Sequence, residues 1–277
     1  MEDNRADAYG QLAEVKLDGC TALITGASAG IGLEFARQLA ARADSIVLVA
    51  RRVDRLERIR DELTANNPTL TVHVHAADLA NHEQVSQLGD WLQRKGMATD
   101  LLVNNAGLGD RGAFATSDPG RVHHMLAVNV VALTLLTRHL LPGMVRARRG
   151  AILNVSSCAS FMPMPGFGVY AATKAYVTSF SEALRSELRG SGVVVTALCP
   201  GPVHTEFDQV ARRSTDSHAR VPPKFTYESV EDVVRDAVSG VESSRPIVIP
   251  GAAMKLAMLA VRLTPMPILR LAGRFSA

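Results

Sequence analysis

Thr25-Gly26-Ala27-Ser28-Ala29-Gly30-Ile31-Gly32 is the stretch that decides the fold. It follows a short β-branched run at 22–25 and opens a helical pattern at 31–41. Between a strand and a helix, each glycine has a separate use. Gly26 permits a tight turn, Gly30 lets the backbone approach a pyrophosphate, and Gly32 allows the helix to lie close on the sheet. The helix N-terminus presents unpaired N–H groups to an anion. Gly26, Ser28, Gly30, Ile31 and Gly32 are therefore candidate cofactor contacts. The same letters also spell Gly-x-Ser-x-Gly, the strand–helix elbow of a serine hydrolase with Ser28 as nucleophile. That alternative needs an Asp and a His further on and leaves the third glycine without a purpose.

Outward from this turn, apolar runs at 46–50, 71–76, 101–104, 151–156 and 193–198 read as strands, and 247–249 as a short seventh. They are nearly continuous rather than alternating, as in a parallel sheet buried on both faces. Helical patterns at 56–63, 85–94, 122–141, 171–188 and near 229–241 fall between them. Such alternation predicts βαβ units with right-handed crossovers: an α/β fold, one doubly wound parallel sheet of about seven strands with helices on both faces. The predicted domain is 16–250, with a loose tail at 1–15, a polar insertion at 203–226 near the substrate, and an apolar, basic extension at 251–277 that covers the cleft or a subunit interface, ahead of peripheral membrane contact.

Composition sets outer bounds. The chain has 277 residues, 47% hydrophobic and 21% charged, enough for a sizeable core, and a net charge of +3 that is too mild for a nucleic-acid binder. Three scattered cysteines, Cys20, Cys158 and Cys199, form no CxxC pair and fit buried thiols in a reducing compartment. With no apolar leader and no uncharged run of membrane-spanning length, a cytoplasmic location is expected. His73 and His75 lack carboxylate or thiol neighbours at ligand spacing and are expected to be structural, so no metal site is predicted.

Two further motifs complete a set: Asn104-Asn105-Ala106-Gly107, and Tyr170-x-x-x-Lys174. With the glycine turn, in this order, the chain resembles the short-chain dehydrogenase/reductase family from about residue 16 to 250, and the resemblance implies a Rossmann-type fold and hydride transfer between nicotinamide and a carbonyl or alcohol. Asn129, Ser157, Tyr170 and Lys174 match the family's catalytic positions. Asp78 and Leu79 match residues bordering the adenine, and Asn105, Ala106 and Gly107 the turn beside the ribose. Pro200, Gly201, Val203 and Thr205 match the segment over the nicotinamide. Tyr170 and Lys174 also match cofactor contacts. A homodimer or homotetramer is implied, because helices like those at 122–141 and 171–188 pair between subunits in relatives.

The residue types suit that chemistry. Tyr170 and Lys174 are one helical turn apart and share a face. Lowering a phenol's pKa by about three units takes roughly 4 kcal/mol, which an ammonium about 4 Å away supplies at an effective dielectric near 20. Ser157 would bond the substrate oxygen as charge develops, and Asn129 would hold a water that returns protons to Lys174. Strand two ends at Ala50, with no carboxylate for ribose hydroxyls but with Arg51 placed for a 2′-phosphate, so NADP(H) is expected over NAD(H). Ala29 stands where many NADP relatives carry a basic residue, which implies a moderate preference. Met162, Met164 and Phe167 suggest a lipophilic ketone or aldehyde. The non-catalytic alternative is a dinucleotide-sensing regulatory protein on the same fold.

Overall fold

The β-branched runs do what continuous apolar character requires: they stack side by side and hide both faces. The computed structural model describes residues 15–213, 227–265 and 267–268. Its seven strands are β1 (Thr21–Thr25), β2 (Ser45–Ala50), β3 (Thr71–Ala76), β4 (Leu101–Asn104), β5 (Gly150–Val155), β6 (Val193–Leu198) and β7 (Ile247–Val248). They form one sheet in the order β3-β2-β1-β4-β5-β6-β7, and every neighbouring pair is parallel.

Side-chain alternation sorts the helices. Ala22 and Ile24 of β1 belong to a core with Phe35 and Leu39 of α1 (Gly30–Ala40), Leu56 and Leu63 of α2 (Val53–Asn66), and Val233 and Ala237 of a later helix, Val230–Glu242. Leu23 faces the other side. There it joins Leu88 and Leu92 of α3 (His82–Arg94), Leu136 of the long central helix, and Leu184 of Gly168–Glu187. The expected doubly wound, Rossmann-like α/β sheet is therefore present, with its two cores separated by the strands. At the open edge, β3 is only half-buried, and His73 and His75 rest against Trp91.

The central helix consists of α4 (Pro119–Leu126), a π-helical segment Ala127–Ala132, and α5 (Leu133–Ala147). The 29-residue span Pro119–Ala147 is long and apolar enough by composition to cross a membrane, a length the uncharged-run criterion did not register because Arg121 and Arg138 interrupt it. Val128, Ala132, Leu133, Leu136 and Met144 are buried, so much of its apolar character serves the core. Asn129 sits within the π segment, where the wider turn re-aims a side chain. Next come α6 (Gly168–Glu187), α7 (Glu206–Ala211), α8 (Val230–Glu242) and α9 (Ala252–Leu263).

The chain winds outward from β1 in both directions, so β1 and β4 are neighbours whose following connections diverge. A crevice opens at their carboxyl ends, the usual ligand site of an open α/β sheet. The tail 1–14 and most of the expected insertion, residues 214–226, lie outside the described residues, as do 266 and 269–277.

Candidate active site

At the carboxyl end of β1, Thr25 ties two turns together. Its hydroxyl donates to Val103 O at 3.2 Å and accepts the N–H groups of Asn105 and Ala106, each at 3.0 Å. Asn105 returns the contact, its amide donating to Thr25 O at 2.8 Å. The glycine turn is packed so closely on this pair that side chains do not fit. A Cβ on Gly26 would lie 2.8 Å from Asn105 Nδ2, and one on Gly32 would lie 2.4 Å from both Asn105 Nδ2 and Gly26 O. Gly26 and Gly30 also take φ values of +66° and +55°. Gly32→Ala must move backbone rather than a flexible side-chain tip. It is expected to cost about 1–3 kcal/mol in urea unfolding and to weaken NADPH binding; an unchanged unfolding midpoint would show that the turn yields freely. Ala29 gives α1 no side-chain cap, so the first N–H groups of α1 remain available for an anion.

One cavity of about 690 Å³ runs along the carboxyl edge of the sheet, a size suited to a cofactor plus a small substrate. At one end it is lined by Gly26, Ser28, Gly30, Ile31, Arg51, Asp78 and Leu79. Asn105, Ala106, Gly107, Ser157, Tyr170, Lys174, Pro200, Gly201, Val203 and Thr205 line its middle and far end. Among the residues singled out from sequence, Gly32 and Asn129 stand behind the wall instead. The Asn129 side chain makes three hydrogen bonds: Oδ1 accepts Leu108 N–H at 2.8 Å, while Nδ2 donates to Leu108 O at 2.9 Å and Thr173 Oγ1 at 3.0 Å. It fastens the loop after β4 to α6.

Adjacent serines divide their work. Ser156, 2% exposed, donates to Lys174 O at 2.8 Å and bonds Thr178, fixing β5 against α6. Ser157 turns into the cavity, where its hydroxyl accepts Ala159 N–H at 3.1 Å and partners the Tyr170 phenol. The Tyr170 ring stacks on Phe167 with centroids 4.2 Å apart and meets Phe207 at 5.4 Å.

Lys174 Nζ lies 5.7 Å from the Tyr170 ring centroid and donates to Val155 O at 2.7 Å. Both groups are buried. Burial pushes the phenol up to about 12, against the smaller lowering effect of Ser157, and pushes the lysine down to about 8. Desolvation is the largest cause of both shifts.

The sequence missed Arg52. Its guanidinium donates to Ser28 Oγ at 3.0 Å and to Glu206 at 3.1 Å, and Arg55 holds the same carboxylate at 2.8 Å. Those guanidiniums keep Glu206 below the usual carboxylate range, Arg55 contributing most. A carboxylate does stand at this end of the cavity, then, delivered by α7 rather than by β2. Ser28 is paired with an arginine, and among the described residues no imidazole bonds it as the hydrolase elbow would require. Arg51 lines the cavity beside Arg52. The sulfur of Cys158 is buried, donates to Cys199 O at 3.2 Å, and burial pushes its pKa to about 12, which leaves it a packing residue.

Residues 20–216 match the short chain dehydrogenase family. The chain belongs to the short-chain dehydrogenase/reductase family. It is 40% identical over 189 residues to a sulfoacetaldehyde reductase of Chromohalobacter salexigens, covering 68% of this chain and 74% of that one. It is 35% identical over 219 residues to the NADP-dependent 3-hydroxy acid dehydrogenase YdfG of Escherichia coli K12, covering 78% and 86%. A short-chain dehydrogenase from Sphingobium yanoikuyae, solved in complex with NADPH, superposes with a TM-score of 0.78 at 31% identity, covering 87% of this chain and 92% of that one. This short-chain dehydrogenase/reductase is accordingly an oxidoreductase acting on small molecules.

Proposed function

We propose that the protein transfers a hydride between NADP(H) and a lipophilic ketone or aldehyde, with Tyr170 as proton donor. The observation that carries this is the single cavity joining the uncapped α1 N-terminus to the buried Ser157–Tyr170–Lys174 cluster. The glycine turn fits a dinucleotide pyrophosphate, because its backbone is open where a Cβ would collide and its N–H groups are unspent. Asp78 and Leu79 border the adenine, and Asn105, Ala106 and Gly107 the ribose. Pro200, Gly201, Val203 and Thr205 cover the nicotinamide, which supplies or accepts the hydride when bound. Ser157 orients the substrate oxygen and stabilises charge on it. Tyr170, held protonated by burial, delivers the proton to that oxygen. Lys174 bonds the ribose hydroxyls and re-protonates the phenol, and Asn129 keeps the loop at Leu108 in register.

Apolar side chains support the substrate class. Met162, Met164, Phe167, Phe207, Met254 and Met258 wall the end beyond the phenol, and thioethers adapt to irregular apolar shapes. Residues 16–250 form the catalytic domain in this proposal, and the extension roofs the cleft through Met254 and Met258. A homo-oligomer in the cytoplasm completes it. The screen that tests it follows NADPH consumption with aliphatic, aromatic and steroid ketones and with aldehydes. Bound NADPH with no turnover across the set would favour a dinucleotide-sensing protein instead.

Preference for the phosphorylated cofactor rests on Arg51 and Arg52. A charged hydrogen bond of roughly 1.5–3 kcal/mol corresponds to about a ten- to a hundredfold preference. Arg51→Ala and Arg52→Ala are each expected to bring the NADPH-to-NADH affinity ratio down by about tenfold, and Glu206→Gln to raise it by freeing both guanidiniums that hold it. A ratio unmoved in all three variants would take these residues out of cofactor selection.

A further inference from the structure

We infer that Arg111 reads an anionic group on the substrate, so that the carbonyl compound is an oxo-acid: an apolar body with a carboxylate or similar oxyanion at the end away from the nicotinamide. The inference rests on the reductase function proposed above and names the substrate class for the same cavity.

Arg111 belongs to the loop that leaves the Asn-Asn-Ala-Gly turn. Its backbone N–H donates to Ala211 O at 2.8 Å, which pins the loop to the end of α7. The side chain is 20% exposed, lines the cavity, and lays its guanidinium over the Phe167 ring at 5.2 Å. Phe167 in turn stacks on Tyr170 at 4.2 Å. The charge is thus one aromatic ring removed from the proton donor, on the same side of the cavity.

What sets Arg111 apart is its unspent hydrogen-bond donors. A guanidinium has five N–H donors, and this one is half-buried, with part of its surface turned to the cavity. Among the described residues, none of its side-chain donors makes a hydrogen bond. The nearest carboxylate, Asp208, is 3.9 Å away, at the limit of an ion pair. The neighbouring carboxylate cannot serve: Asp110, 7% exposed, is already held by Arg213 and, at 3.2 Å, by Arg121. Arg213 and Arg121 are occupied with it, so of these three arginines Arg111 is the one left to face the cavity. A planar fork fixed by a ring beneath it suits bidentate capture of a carboxylate. Near Arg111 and the phenol the wall carries the apolar side chains of Met164, Phe207 and Val210, with the Asp208 carboxylate beside them. A substrate spanning that distance must be oily in the middle and charged at its end.

The test compares succinic, adipic and suberic semialdehydes with their methyl esters as substrates for NADPH oxidation. Wild type, Arg111→Gln, Arg111→Lys and Asp208→Asn are assayed, and NADPH binding is followed separately by fluorescence. In the wild type, kcat/KM for the acid is expected to exceed that for the ester by about ten- to a hundredfold at the best chain length, the worth of a charged hydrogen bond. Arg111→Gln brings the ratio near unity through KM, Arg111→Lys restores part of it, and Asp208→Asn raises it. Adipate, which cannot be reduced by this route, should stabilise the NADPH complex of wild type against heat but not that of Arg111→Gln. Equal acid and ester turnover at every chain length, or a ratio unchanged in Arg111→Gln, overturns the inference and leaves the reductase function standing. Bound NADPH with no reduction of either series and no stabilisation by adipate sinks both. If Arg111→Gln fails to fold, the Asp208→Asn ratio decides: one that stays flat or falls overturns the assignment.

Discussion

Tyr170→Phe is expected to lower kcat for carbonyl reduction by about a thousandfold, within the 10²–10⁴ range typical of a positioned general acid, while changing NADPH affinity by less than about twofold. The reason is geometric. The substitution removes one hydroxyl and keeps the ring that stacks on Phe167 at 4.2 Å and meets Phe207 at 5.4 Å, so the cavity keeps its shape. Its only polar loss is the partnership with Ser157. Burial holds the phenol near 12, which keeps it protonated at neutral pH and ready to donate as hydride arrives. In the oxidative direction the same group must give up its proton, which the positive charge of oxidised nicotinamide favours. Stopped-flow and steady-state assays on purified Tyr170→Phe, with fluorescence titration of NADPH, check both halves. Turnover retained near the wild-type rate would remove Tyr170 as the donor.

Lys174 predicts a stability profile. Its pKa falls from 10.5 when solvated to about 8 in the fold. Between those values the unfolded chain binds a proton that the folded chain does not, so stability rises with pH across this window and is lost as pH falls through it. Below about 8 both states are protonated and the slope from this group vanishes. Tyr170 acts oppositely: its pKa rises from 10.0 to about 12, and stability falls with pH between those values. In cofactor-free protein, Lys174→Met is expected to remove a rise of about 3 kcal/mol between pH 8 and 10.5. The comparison of urea midpoints for wild type and variant along that range isolates the lysine from other alkaline transitions. Parallel curves would mean that the ammonium is stabilised in the fold after all.

Much of the architecture could be read from residue order. The runs at β4 and β6 are apolar but for Asn104 and Thr196, and both strands are buried along their whole length; a strand hidden on both faces leaves no alternation to misread. The glycine turn and the Tyr170–Lys174 spacing were equally plain, since tight turns and one-turn separations are local facts. What escaped depends on distance along the chain. Arg52 meets Glu206 across 154 positions, and nothing within either segment signals the other. The short α7, with only Ala211 buried, has too little periodicity to stand out from the polar stretch around it. Asn129 was placed correctly on a helix, but the π-helical turn that aims its side chain at Leu108 has no sequence mark. Spacing gave the lysine and the phenol a shared face; only the fold shows that burial is the largest influence on each.

The two ends of the cleft are built from different materials. At the dinucleotide end, strand termini and glycine backbones interlock at distances where even a methyl group collides. At the far end the roof is Met254 and Met258, supple side chains on α9, which follows the last strand and shares no ladder with the sheet. Residues there hold no strand in register, since α9 contributes nothing to the ladder. Substrate range can therefore drift over generations, or be redirected by an engineer working on α9 alone, while the apparatus for nicotinamide chemistry stays as it is.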